Sequence, residues 1–156
     1  MTPYDPFSPR RRNIFQHAGF RMGAVGGVIM IAVHLFLLAI NRGTNNGDVL
    51  AGLLQLVVYF FIAHNAAEQH HATQLDSVDH LRGVQGAGVG AAVTTSILVW
   101  IYIVVRGIFR DAFGITVIVE PVSLCFTIFI DVLLALGIGS LGGGLVAKKY
   151  RGNTNF

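Results

Sequence analysis

Four long apolar blocks constrain this chain more than any other feature: MGAVGGVIMIAVHLFLLAI (22–40), VLAGLLQLVVYFFIAHNAA (49–67), VQGAGVGAAVTTSILVWIYIVV (84–105) and PVSLCFTIFIDVLLALGIGSLGGGLVA (121–147). Neither a one-sided helical stripe nor strand alternation produces blocks of this kind. Each is close to or above the roughly 20 residues that cross a hydrocarbon core about 30 Å thick. A backbone surrounded by lipid must satisfy its own hydrogen bonds, so the blocks are expected to be helices. The composition agrees, because 12% of the residues are charged where soluble domains carry roughly 25%.

The expected fold is therefore all-α: an integral membrane four-helix bundle, multi-pass in the cell membrane. The expected helices lie near 20–41, 48–71, 84–106 and 121–147, within a transmembrane domain over 14–150. Residues 1–13 hold three of the four prolines and no apolar period, which predicts an irregular cytoplasmic arm. Residues 151–156 form a short tail. The first block follows a basic leader, but it is longer than a signal-peptide core and lacks a small-residue cleavage site, so the helix is expected to be retained.

Lysine and arginine set the expected orientation. Arg10, Arg11, Arg12, Arg21, Arg82, Lys148, Lys149 and Arg151 fall on one side of the spans, and Arg42, Arg106 and Arg110 on the other. Eight against three places both termini and the 68–83 connection in the cytoplasm. The basic charge thus reads as a topology signal with some attraction to anionic headgroups, and nucleic acid is not an expected partner. The polar 68–83 stretch is expected to prolong the second helix before a turn at Gly83. The 107–120 connection is apolar around a few charges and reads as an interfacial amphipathic segment or a structured loop. Pro121 after Glu120 suits the start of the fourth helix.

Lipid tails are as apolar as leucine, so small residues that let backbones approach are expected to hold the bundle together. Gly23 with Gly27, Gly86 with Gly90, and Gly139 with Gly143 form three pairs spaced four apart. They imply tight packing of the first, third and fourth helices, with the bulky VVYFF of the second more peripheral. GAGVG is not a dinucleotide loop, because no strand precedes it and it sits inside a span.

Depth identifies candidate chemistry. At about 1.5 Å per residue, Asp131 and Tyr59 lie roughly 15 Å into their helices, Thr95 roughly 16 Å and His34 roughly 18 Å. All four are expected near the midplane, each on a different helix. A carboxylate there costs several kcal/mol unless paired, neutralised or hydrated. Asp131 is then either a proton- or cation-responsive group facing His34 or the Thr94–Thr95–Ser96 hydroxyls, or a hydrogen-bonding tie within the bundle or toward another subunit. His34 is a possible axial ligand for haem or a pigment, although no cofactor is expected. His64, Glu68 and His71 share a helix face at metal-ligand spacing. The two histidines, however, are separated by about 10 Å along the axis, too far for one ion. A solvated helix end is the simpler reading of HNAAEQHH.

No nucleophile is joined to a recognisable base, and Cys125 stands alone in an apolar span, so no enzymatic activity is expected. Two functions remain. One is a structural or accessory subunit of a larger membrane complex, with the bilayer and other subunits as partners. The other is a self-associating channel or proton-coupled transporter using Asp131.

Overall fold

A computed structural model of the protein describes residues 17–40, 46–73, 80–112 and 121–151. The described residues form four helices: α1 (Ala18–Ile40), α2 (Asn46–Thr73), α3 (His80–Ala112) and α4 (Pro121–Arg151). All four are long and apolar enough to cross a membrane. The 1–13 arm, residues 41–45, residues 74–79 of the 68–83 connection and residues 152–156 of the tail lie outside the described residues.

Helix ends follow local chemistry. Pro121 opens α4, where its missing N–H would have had no intrahelical partner. Lys148, Lys149 and Arg151 occupy the last turn of α4, where cations favour the negative end of the helix dipole. They carry the helix past the expected end at 147. Helix α3 also exceeds its apolar block, beginning at His80 and continuing through Ala112. The first part of the 107–120 connection is thus helical, and its remainder, 113–120, lies outside the described residues. Gly83 does not turn the chain. It sits inside α3, where a Cβ would stand 2.6 Å from His70 Nε2.

Helix α3 is the hub, packed against α1, α2 and α4, and α2 also touches both α1 and α4. Among the described residues α1 and α4 do not meet, so the expected cluster of first, third and fourth helices with α2 at the periphery is not formed. The reason is the alanine face of α2. Ala63, Ala66 and Ala67 are fully buried at helical spacing and allow the close approach that glycine was expected to supply. The bulky residues of VVYFF divide: Tyr59 turns inward, whereas Val57 and Phe61 face outward.

Glycine packing follows rotation about each helix axis. A Cβ at Gly23 or Gly27 would collide with Thr94 and Ala91 or with Leu98 of α3, and one at Gly139 or Gly143 with Val89 and Ala92 or with Gln85. Gly86 and Gly90, expected to pack as well, face open space. Their place is taken by Gly88, where a Cβ would lie 2.9 Å from Gly143 Cα, 3.0 Å from Gly139 O and 3.1 Å from Ala63 O. Two residues along a helix correspond to about 200° of rotation, which puts Gly88 toward α2 and α4 and its neighbours away from them.

These contacts make α1 and α3 parallel to each other and antiparallel to α2 and α4. One end of the bundle therefore collects Arg21, Arg82, Lys148, Lys149 and Arg151, and the far end of α3 carries Arg106 and Arg110.

Candidate functional site

The four midplane candidates separate into two groups. Asp131 and Tyr59 come together, with Tyr59 Oη donating to Asp131 Oδ2 at 2.8 Å. Thr95 turns the other way: its hydroxyl faces Ala91 O of its own helix and Gly23 O of α1, each at 3.0 Å. His34 donates from Nδ1 to Met30 O at 2.9 Å, and its ring lies edge-on to Tyr102 with centroids 6.3 Å apart. Tyr102 Oη is buried without a hydrogen-bond partner.

Around Asp131 the structure assembles three further donors. Ser96 Oγ donates to Oδ2 at 2.6 Å and Trp100 Nε1 to the same oxygen at 2.8 Å. Gln55 Nε2 reaches Oδ1 at 3.0 Å and Oδ2 at 3.2 Å, and also donates to Tyr59 Oη. The geometry is simple in sequence terms. Gln55 and Tyr59 are one turn apart on α2, and Ser96 and Trp100 one turn apart on α3, so each helix presents two donors from a single face. Tyr59 and Ser96 are fully buried and Gln55 nearly so. Ala92 and Ala135 pack with Tyr59 to close the space between the helices.

All four side chains around this carboxylate are neutral, and each presents a donor. Oδ2 carries three close donors, while Oδ1 receives only Gln55. The amide NH2 of Gln55 has two hydrogens for three nearby acceptors, so the Gln55 contact is the adjustable one. With NH2 facing Asp131 the site suits an anion. Turned over, the amide carbonyl would instead accept a proton carried on Oδ1. Trp100, which can only donate, fixes Oδ2 as an acceptor in either case.

The basic end holds a different arrangement. Glu68 lies 3.6 Å from His64 Nε2 and 3.2 Å from Lys149 Nζ. His71 stacks on Tyr150 with centroids 3.5 Å apart, and Lys149 Nζ stands 5.3 Å above that tyrosine ring. The His64 ring lies nearly parallel to Phe60. Thus His64 and Glu68 pair with each other along α2, Glu68 also meeting Lys149, while His71 turns to Tyr150. Among the described residues no three histidine, cysteine, aspartate or glutamate side chains converge on one point.

Comparisons with protein-family models, curated proteins and solved structures find no match for the chain.

Proposed function

We propose that this protein is a non-catalytic, multi-pass protein of the cell membrane with both termini cytoplasmic, serving as a structural or accessory subunit of a larger membrane assembly. The observation that carries this reading is the Asp131 cage. Donors from α2 and α3 of the same chain surround Asp131, a carboxylate midway along α4, so its first role is to tie three helices together. Much of the outer surface remains apolar. Phe126, Phe129, Leu141 and Leu145 of α4 are each more than half exposed and are available to lipid or to a neighbouring subunit. Purification from native membranes in mild detergent tests the proposal. A different chain retained at fixed stoichiometry supports it, whereas homo-oligomers alone contradict it.

One observation favours the transport alternative: Asp131 is only partly buried, and its Oδ1 has a single, reversible partner in Gln55. Proton-driven flux in reconstituted vesicles that disappears in Asp131→Asn would support that alternative over the accessory role.

A further inference from the structure

A groove of about 360 Å³ opens between α1 and α3 at the basic end of the bundle. Its rim is formed by His17, which precedes α1, and by the largely buried His70 of α2, whose rings lie nearly parallel with centroids 6.4 Å apart. Below the rim it runs along α3 past Gly86 and Gly90 to Thr94, with Phe20 on the α1 side. The Thr94 hydroxyl is already satisfied by Gly90 O at 2.7 Å, so the deep part of the groove offers no free hydroxyl. The result is amphipathic: polar at the rim, apolar along the floor.

Its dimensions narrow the occupant. From Gly83 to Thr94 the groove follows α3 for about 16 Å, half of a hydrocarbon core about 30 Å thick and so one leaflet. Spread over that length, a volume of about 360 Å³ leaves the groove too slender for a helix about 10 Å across. That width suits one hydrocarbon chain. Charge then selects the headgroup. Arg21 directly follows Phe20 and Arg82 directly precedes Gly83, and both arginines are exposed. Glu68 is the one carboxylate described at this end, and it is occupied by Lys149.

We propose that this groove binds one anionic phospholipid, with an acyl chain along Gly86, Gly90 and Thr94 and its phosphate at the exposed His17 beside the two arginines. The inference rests on the four helices crossing a bilayer and is independent of whether the protein is an accessory subunit.

The test is native mass spectrometry of the full chain after equilibration in detergent with equal amounts of phosphatidylglycerol and phosphatidylcholine. One phosphatidylglycerol per chain is expected to be retained, preferred by about thirtyfold, since the two nearby arginines each contribute about 1 kcal/mol to anionic-lipid attraction. Gly86 and Gly90 have open space where a Cβ would stand, so G86L combined with G90L introduces side chains into the groove with no clash at Cβ. That variant should retain about tenfold less lipid, whereas G144L, which also faces open space on α4, should behave as wild type. Equal retention of the two lipids by wild type overturns the proposal, as does undiminished retention by the filled variant. So does a filled variant that keeps its lipid but loses a bound protein chain. If circular dichroism shows that the filled variant has not folded, R21A combined with R82A decides: loss of the headgroup preference supports the site, and its persistence overturns it.

Discussion

Replacing Asp131 with leucine removes the acceptor on which α2, α3 and α4 converge, and the cost follows from what each donor can do next. Gln55 and Tyr59 already bond to each other, and Ser96 can turn its hydroxyl to a carbonyl one turn back in α3. Trp100 has no such alternative, because an indole N–H only donates, and leaving it unpaired away from water costs about 1–3 kcal/mol. The other three contacts, at about 0.6 kcal/mol each for polar contacts between membrane helices, add about 2 kcal/mol. Asp131→Leu should therefore destabilise the bundle by about 3–5 kcal/mol. Asp131→Asn keeps one oxygen for Ser96, Tyr59 and Trp100, and the Gln55 amide can turn over to meet the new NH2, so about 1 kcal/mol is expected. Reversible unfolding in mixed detergent micelles measures both, and Trp100 is a built-in reporter because it is the only tryptophan in the chain. A leucine variant as stable as wild type would refute the tie. An asparagine variant as damaged as the leucine variant would show that the negative charge itself, rather than acceptor geometry, holds the site.

Further predictions follow from packing. Gly88→Val places side-chain atoms against the backbones of α2 and α4 and should cost about 3 kcal/mol in the same unfolding assay, the upper range for overpacking; Gly90→Ala, facing open space, should change stability little. Thr95→Val removes the hydroxyl that links α3 to Gly23 O of α1 and should cost about 0.6 kcal/mol, without altering the Trp100 emission that reports the Asp131 cage. Cys125 is exposed on α4, so Cys125→Ser should leave the unfolding midpoint unchanged.

Block length made the number of helices legible, because segments of about 20 apolar residues have few other uses. Depth arithmetic also put Asp131 and Tyr59 at one level, since rise per residue is fixed along any helix, but of the partners it suggested for Asp131 only Ser96 meets it, His34 and Thr95 turning elsewhere. Depth does not give rotation. Thr95 and Ser96 share a level, yet they differ by about 100° around the axis: one faces α1 and the other faces Asp131. The same difference separates Gly88 from Gly86 and Gly90. A signal for rotation was present in the paired spacing of Gln55 with Tyr59 and of Ser96 with Trp100. Each pair places two donors one turn apart on an otherwise apolar helix, at the level of the lone carboxylate. The central position of α2 was harder to read, because alanine does for Ala63, Ala66 and Ala67 what glycine does elsewhere, and alanine is common enough to carry little information by itself.

The most direct test of the membrane architecture uses the Cys125→Ser background with single cysteines introduced at Arg82, Gly107 or Lys148, exposed to a membrane-impermeant maleimide in sealed vesicles. Arg82→Cys and Lys148→Cys are expected to label from the same face, and Gly107→Cys from the other. Labelling of the Arg82 and Lys148 positions from opposite faces, or of all three from one face of intact vesicles, would contradict a chain that crosses the bilayer four times with its basic ends together.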